Sequence, residues 1–193
     1  NALIHYLRCG HLIGLNPHPL LDTDWYLTTY PDVAESGLAP LAHYVKYGYA
    51  EDRDPHPLFS SSWFISNATV DVDRSTPALS QFLRQNIANS SSPHPAFDLK
   101  YYNHTYPDVA KGDIGAFSHY RRYGHKELRN PSPTFCEGWY KEKYGHLIPD
   151  GMSALEYHLR YGVKNGHLTH PLENRDARKR KAQVNSRKSI LIV

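Results

Sequence analysis

Residues 97–133 read FDLKYYNHTYPDVAKGDIGAFSHYRRYGHKELRNPSP, and this pattern returns on both sides of the stretch in steps of 38 residues. An aromatic residue stands early in each copy, at Trp25, Trp63, Tyr101 and Trp139. A proline ends each copy, at Pro19, Pro57, Pro95, Pro133 and Pro171. A fixed period of this length is typical of helical units that bury their apolar faces against neighbouring units. The sequence therefore predicts an all-α fold of tandem 38-residue helical hairpins with proline-rich straps, stacked as a short solenoid-like array.

The period also sets the predicted boundaries. They are a partial copy at 1–19, complete copies at 20–57, 58–95, 96–133 and 134–171, a basic linker at 172–189 and a short apolar end at 190–193. The copy at 58–95 is degenerate, since Ala68 replaces the tyrosine found at Tyr30, Tyr106 and Tyr144. The last residues, KSILIV, change from polar to apolar, which is typical of a first strand; an ordinary chain end with a few aliphatic residues is the alternative.

Within one copy the helix signals follow a fixed order. Asp98 is predicted to cap a first helix, because its side-chain oxygen can accept from the first-turn amides. That helix is predicted to run to about Tyr106, since Pro107 disfavours helix at the residue before it. The PDVA stretch is predicted to be a connector. The second helix is predicted at 115–123, ending at Gly124 in the left-handed conformation that glycine tolerates, and an extended strap follows.

The recurring tyrosines allow two interpretations. Pairs such as Tyr102 and Tyr106, four residues apart on one helical face, are predicted to bury against each other in the core. In the alternative, one row of rings stays exposed and stacks on sugar rings. The candidate glycan contacts are then Tyr47, Tyr123, Tyr161, His43 and His119.

The histidines recur without forming a metal motif. Each copy offers at most one PHP or THP histidine, and no HxxxH or HExxH pair puts two ligands on one helical face. We expect the PHP histidines on loop surfaces and the helix histidines packed beside the tyrosine that follows them. The sequence places no nucleophile, base and orienting group together, so it predicts no catalytic site, no cofactor and no metal.

Charged residues also recur in the straps and in the PDVA stretch. Glu51 with Arg53, and Glu127 with Arg129, are predicted to form hydrogen bonds between strap and helix. Asp32, in the PDVA stretch, is predicted to cap the connector turn rather than to act as a catalytic acid.

The formal net charge of +3 is unevenly distributed. The chain beyond residue 171 is strongly basic, and its candidate contacts with an anionic surface are Arg175, Arg178, Lys179, Arg180, Lys181, Arg187 and Lys188. The copies themselves carry a slight excess of acids, which disfavours nucleic-acid binding because phosphate neutralisation needs a basic face. Cys9 and Cys136 are too few for a disulfide scaffold, so a reducing compartment is expected.

The best-preserved copies are DTDWYLTTYPDVAESGLAPLAHYVKYGYAEDRDPHP, at 22–57, and the stretch at 97–133. They resemble the YYxxxYPDVA…HYxxYGxxExRxPxP repeats found beside glycosyltransferase domains in bacterial proteins that build surface polysaccharides such as O-antigen, capsule or rhamnan. The resemblance covers roughly residues 1–171, although 58–95 matches poorly and 134–171 lacks PDVA. It implies a piece of a larger protein, with a Rossmann-like glycosyltransferase domain beginning near residue 190.

The resemblance implies that this chain is not itself an enzyme but a scaffold or docking surface for growing glycan or partner enzymes. Its expected location is the cytoplasm, at the inner face of the bacterial inner membrane. Self-association of the array belongs to the same hypothesis. The alternatives are glycan binding through exposed rings, and binding of an anionic membrane surface or of nucleic acid through the basic tail.

Overall fold

The computed structural model describes residues 1–85 and 91–171. The chain divides into two compact parts, Asn1–His119 and Tyr120–Val193, and the second is described as far as residue 171. Within the described ranges the regular structure is helical, and no strand forms beyond isolated bridges such as the one between His56 and Phe59. The prediction of an all-α fold is confirmed.

The helices are short in both parts. In the N-terminal part the α-helices are Ala2–Arg8, Thr23–Thr29, Pro31–Ser36, Pro40–His43, Ser61–Asn67, Ala78–Arg84, Leu99–Thr105, Pro107–Ala110 and Ala116–His119. That part also holds the 3-10 helix Gly10–Ile13 and the π-helical turn Tyr44–Gly48. The described C-terminal part holds the α-helices Glu137–Tyr144 and Ala154–Tyr157, the 3-10 helix Gly145–Leu147 and the π-helical turns Tyr120–Gly124 and His158–Gly162. Helices of this length depend on tertiary packing for their stability.

In the copies at 20–57 and 96–133 the first helix begins at a capping residue, as predicted, whereas Ser60 makes no side-chain capping bond at the start of the helix Ser61–Asn67. Asp22 accepts a hydrogen bond from the Trp25 amide at 2.8 Å, and Asp98 accepts one from the Tyr101 amide at 2.9 Å. Each carboxylate satisfies an amide that a helix start leaves without an intrahelical partner. Cys136, which precedes the helix Glu137–Tyr144, makes no such bond through its side chain.

The PDVA stretch is helical, so its prediction as a connector is wrong. Pro31 is the first residue of the helix Pro31–Ser36, and Pro107 is the first residue of Pro107–Ala110. Proline suits this position because its fixed φ matches the helix and its missing amide hydrogen is not needed there. The break between the two helices falls at Tyr30, with φ −122° and ψ 81°.

The prediction of a left-handed glycine at Gly124 is also wrong. Gly124 ends the π-helical turn Tyr120–Gly124, as Gly48 ends Tyr44–Gly48, and neither glycine has a positive φ. A β-carbon at Gly48 would overlap the Tyr26 hydroxyl. Glycine is therefore needed at Gly48 for space rather than for backbone freedom.

The left-handed residue lies four positions later, inside the strap. Positive φ angles occur there at Gly14 (73°), Asp52 (52°), Leu128 (58°) and Gly166 (65°). Because this position tolerates aspartate and leucine as well as glycine, the glycine pattern alone did not reveal the turn. The cost of a β-carbon in this conformation is roughly 1–2 kcal/mol.

Two columns of large side chains form the core of the copies. The predicted burial of aromatic rings is confirmed for one column, whose four members are 0% exposed: Tyr26, Phe64, Tyr102 and Tyr140. A neighbouring column, which the sequence analysis did not single out, is buried as well: Leu21, Phe59, Phe97 and Phe135. The two columns touch within a copy, as in Phe97 and Tyr102, whose ring centroids are 5.3 Å apart. Most of the aromatic surface therefore serves packing.

Candidate functional site

A tyrosine from the first helix of a copy pairs with a histidine from the helix that follows the PDVA helix. The Tyr26 hydroxyl lies 3.1 Å from His43 Nδ1, and the Tyr102 hydroxyl lies 3.1 Å from His119 Nδ1. His43 is 6% exposed, and burial lowers its pKa below the ordinary value. These histidines are structural, as expected, although their hydrogen-bond partner is the tyrosine 17 residues earlier rather than the one that follows. Of the two histidines among the candidate glycan contacts, His43 is buried and His119 is half-buried.

The copy at 134–171 preserves this pair by a different route. It carries Tyr157 at the histidine position, and the Tyr140 hydroxyl lies 2.9 Å from Nδ1 of His167, a strap residue. The His167 ring also stacks on Tyr144, with centroids 4.0 Å apart and planes 6° from parallel. The tyrosine hydroxyl therefore keeps an imidazole partner although the partner comes from another element.

The three candidate tyrosines for glycan contact are exposed. Tyr47 is 42% exposed, Tyr123 is 48% exposed and Tyr161 is 42% exposed. A cation lies over two of these rings, with Lys46 Nζ at 4.9 Å from the Tyr47 centroid and Arg160 Cζ at 5.8 Å from that of Tyr161. Solvent access is what a sugar-stacking ring requires, and glycan contact at these residues stays a prediction.

The PHP histidines close tight turns in the straps. Nδ1 of His18 accepts the Leu20 amide at 3.0 Å, and Nδ1 of His56 accepts the Leu58 amide at the same distance. An amide donor requires an unprotonated Nδ1, so these rings bond best when neutral. His56 is 4% exposed, which contradicts its expected position on a loop surface. Burial likewise lowers the pKa of His94 to about 4.

Arg53 joins the strap to the PDVA helix. Its Nη1 and Nη2 donate to the two carboxylate oxygens of Asp32 at 2.9 and 2.8 Å, and its Nε donates to Glu51. The predicted strap-to-helix bond of Arg53 is confirmed, whereas Asp32 is its partner and not a cap. The hydrogen bond from Arg53 lowers the pKa of Asp32. In the C-terminal part, Arg129 Nε and Glu127 Oε2 are 2.6 Å apart.

Glu137 is a buried carboxyl group that the sequence analysis missed. It is 0% exposed and accepts hydrogen bonds from the Tyr120 hydroxyl at 2.7 Å and the Ala154 amide at 3.0 Å. Lys141 Nζ lies 3.8 Å from it. Burial raises the pKa of Glu137 to about 7. The repeat pattern did not mark this position, whose equivalents are Thr23, Ser61 and Leu99.

The straps are tied to the helices by bonds that recur at equivalent positions. Four strap side chains accept a hydrogen bond from the backbone amide seven residues later: Asn16, Asp54, Ser92 and Asn130. Three backbone amides donate to a strap carbonyl 33 residues later: Asp22 to Pro55, Ser60 to Pro93 and Cys136 to Thr169. Each of these bonds lies within one of the two compact parts. They connect the start of one copy's first helix to the straps on either side of it.

The basic candidates lie outside the described residues. They are Arg175, Arg178, Lys179, Arg180, Lys181, Arg187 and Lys188, and the predicted linker at 172–189 and strand at 190–193 lie there too. Their contact with an anionic surface stays a prediction. Across residues 1–85 and 91–171, every helix is too short or too polar to cross a membrane.

These contacts place the chain in a broad class, that of all-α proteins assembled from short helices and hydrogen-bonded straps. Comparison with known proteins finds no matching family model, no matching curated protein and no matching solved structure.

Proposed function

We propose that residues 1–171 form a non-catalytic array of tandem helical repeats that acts as a scaffold in a bacterial glycosyltransferase of surface-polysaccharide synthesis. The supporting observation is the recurrence of one strap bond at equivalent positions, from Asn16, Asp54, Ser92 and Asn130. Repeat proteins build extended arrays from a nearest-neighbour contact that is used again at each step. A hydrogen bond that recurs with the sequence period of 38 residues fits that construction.

The recurring polar residues are occupied by contacts inside the protein. Asp22 caps a helix, His43 pairs with Tyr26, and Arg53 pairs with Asp32. A catalytic acid or base has to reach a substrate proton directly or through one water. Residues that are already paired with one another suit a structural role better than a catalytic one. In this proposal, partners bind at the positions that differ between copies.

The link to glycosyltransferases comes from the resemblance of the YPDVA and HYxxYG segments to repeats found beside such domains. In this proposal the array holds an adjacent glycosyltransferase domain, the growing polysaccharide or partner enzymes at a set distance from each other. Self-association of the array would serve the same purpose. The location that fits is the cytoplasm, at the inner face of the inner membrane.

The scaffold role is tested in the parent protein by destabilising the array and leaving the enzyme domain unchanged. Tyr26→Ala removes a ring that is 0% exposed, and Thr29→Ala, at an exposed site of the same helix, is the control. We expect Tyr26→Ala to reduce polysaccharide output in cells while the purified parent still transfers sugar to a short soluble acceptor. Loss of that transfer, or unchanged polysaccharide output from a variant whose array is shown to be unfolded, would overturn the scaffold role.

A second function, glycan binding, is favoured by the exposure of Tyr47, Tyr123 and Tyr161. Nearby tyrosines on the same helices are buried, since Tyr44 is 2% exposed and Tyr120 is 0% exposed. Exposure is therefore specific to one position of the copy and is not a general result of the tyrosine content. An accessible aromatic ring presents an apolar face together with a polar hydroxyl, which suits a sugar ring.

Titration of the chain with the producing organism's surface polysaccharide, followed by NMR, tests this second function. We expect saturable binding that Tyr123→Ala abolishes without changing the circular dichroism spectrum. Leu147→Ala removes an exposed apolar side chain from the same compact part and should leave binding intact. Absence of saturable binding at millimolar glycan would reject this function and leave the scaffold role standing.

A further inference from the structure

A cavity of about 410 Å³ lies beside Trp63, in the degenerate copy. Its lining includes Trp63 and the polar residues Asn67, Thr69, Ser91 and Ser92. Asp98 and Lys100 complete the polar part of the wall. The cavity lies wholly within the N-terminal part of the chain.

The preceding copy explains why space opens at this position. There the Tyr30 ring lies 6.3 Å from the Trp25 ring, and the Arg53 guanidinium lies over it at 4.9 Å. The Tyr30 hydroxyl accepts a hydrogen bond from the Asp54 amide at 2.8 Å. Tyr30 thus fills the space between an indole ring and the strap.

One period later the indole remains but the groups that fill the space are lost. Ala68 replaces the tyrosine, and Ser91 replaces the arginine. Trp63, Ser91 and Ser92 are the equivalents of the three residues around Tyr30, and all three line the cavity. Two substitutions of large side chains by small ones therefore account for a pocket in this copy.

Hydrogen bonds hold the wall of the cavity in place. The Thr69 amide donates to Ser91 Oγ at 3.1 Å, and the Ser91 amide donates to Gln85 Oε1 at 2.9 Å. On the other side, Ser92 Oγ accepts the Leu99 amide at 3.1 Å. The two bonds of Ser91 involve a residue that stands where other copies have Arg53 and Arg129, whereas the Ser92 bond is the strap bond that recurs at equivalent positions.

The lining selects for a particular kind of molecule. Its volume lies within the roughly 300–1,000 Å³ typical of small-molecule sites, which combine aromatic walls with a few polar groups. The one carboxylate, Asp98, and the one ammonium group, Lys100, balance in charge, which favours a neutral ligand. The lining thus combines the aromatic Trp63 with residues that carry hydroxyl or amide groups, Asn67, Thr69 and Ser91.

We propose that this cavity binds a neutral monosaccharide unit, whose apolar ring face packs on Trp63 while its hydroxyls hydrogen bond to the polar wall. The site is distinct from the exposed tyrosine row. It also goes beyond the scaffold role, because one ligand pocket in one copy neither requires nor excludes an array that spaces other domains.

The indole N–H signals of the whole chain, in NMR titrations with methyl α-glycosides of glucose, galactose and mannose, test the proposal. We expect at least one glycoside to shift the Trp63 signal saturably, with a dissociation constant in the millimolar range, while the Trp25 and Trp139 signals stay in place. Sorbitol, a linear polyol without a ring face, should cause no such shift. Equal shifts of all three signals, equal binding of sorbitol, or no saturable shift with any glycoside would overturn the proposal.

Ala68→Tyr gives the sharpest variant, because it restores the residue that fills this space in the preceding copy. We expect it to abolish the glycoside shift while the fold and its unfolding midpoint are kept or improved. Trp63→Ala should also abolish binding, whereas Trp139→Ala, whose ring packs against Tyr144 at 6.2 Å, should not. If glycoside still bound saturably to Ala68→Tyr, the ligand would lie elsewhere and the proposal would fail, whatever the stability of Trp63→Ala.

Discussion

Gly48 and the Tyr26 hydroxyl occupy neighbouring space at the end of the π-helical turn Tyr44–Gly48. The hydroxyl lies 3.1 Å from His43 Nδ1, and a β-carbon added to Gly48 would overlap it. His43 and Gly48 are five residues apart, across the π-helical turn Tyr44–Gly48. The wide π-helical turn and the missing β-carbon together leave room for a buried tyrosine hydroxyl.

We therefore expect Gly48→Ala to lower the free energy of unfolding by about 1–3 kcal/mol, the usual cost of overpacking a core. Tyr26→Phe removes the hydroxyl, so Gly48→Ala should cost less in that background. Urea unfolding of the four proteins, followed by circular dichroism, gives the coupling as a double-mutant cycle. Equal costs in both backgrounds would mean that the two groups do not compete for space.

Glu137 makes stability depend on pH, with a sign that follows from its burial. Its pKa in the folded protein is raised to about 7 from an ordinary value of 4.5, so folding favours the protonated form. The contribution of protonated Glu137 to the free energy of unfolding is fully present below pH 4.5 and is lost as the pH rises through 7. The full effect is on the order of 3 kcal/mol, since one pKa unit corresponds to about 1.4 kcal/mol.

Glu137→Gln should remove this loss because an amide does not ionise. We expect the variant to gain stability relative to wild type between pH 5 and pH 8, as measured by urea unfolding at several pH values. His125, whose pKa burial lowers to about 4, has the opposite pH dependence in the same part of the chain and is present in both proteins. The difference between the two curves therefore isolates Glu137, and parallel curves would contradict the assignment.

At the scale of the elements, each strap is held in place by a hydrogen bond from the backbone of the following helix to a strap side chain. Asp54 Oδ1 accepts the Ser61 amide at 2.6 Å, and the equivalent acceptors Asn16 and Asn130 are amides. Burial raises the pKa of Asp54 to about 6. The bond needs an acceptor oxygen but does not need a charge.

Asp54→Asn and Asp54→Ala separate these two properties. At pH 7 we expect Asp54→Asn to be at least as stable as wild type, because folding disfavours the carboxylate above its raised pKa. Asp54→Ala should be less stable than Asp54→Asn by about 1 kcal/mol, the usual effect of losing a side-chain acceptor at a helix start. Thermal unfolding at pH 7 and pH 4 measures both, and the advantage of asparagine over aspartate should vanish at pH 4.

Elements specified by neighbouring residues were predictable, and elements specified by distant contacts were not. Capping by Asp22 and Asp98 is a local signal, and it was confirmed. From its sequence neighbours alone, Gly48 is predicted to end a helix in the left-handed conformation. In the structure it is instead needed to leave room for the Tyr26 hydroxyl, which lies 22 residues earlier in the chain. The identity of the exposed tyrosines, and the cavity beside Trp63, depend in the same way on which rings meet in three dimensions.

At the scale of the whole molecule, the copies differ in which of the recurring residue pairs they keep. Residues repeated in most copies are paired with each other, as in Tyr26 with His43 and Arg53 with Asp32. The degenerate copy lacks these pairs, and the cavity beside Trp63 lies there. The proposed binding site therefore uses a part of the chain in which these shared pairs are already missing.

The distribution of charge leads to the last prediction. The seven candidate basic residues beyond residue 171 turn a slightly acidic chain into one of net charge +3. Each basic residue near an anionic bilayer contributes about 1 kcal/mol, an attraction that salt screens. We expect the full chain to sediment with vesicles of phosphatidylglycerol and phosphatidylcholine at low salt and to dissociate at high salt. The truncated chain 1–171 should stay in solution under both conditions and keep its circular dichroism signal. Binding of the truncated chain, or equal binding of the full chain to pure phosphatidylcholine, would contradict a role for the tail at the membrane surface.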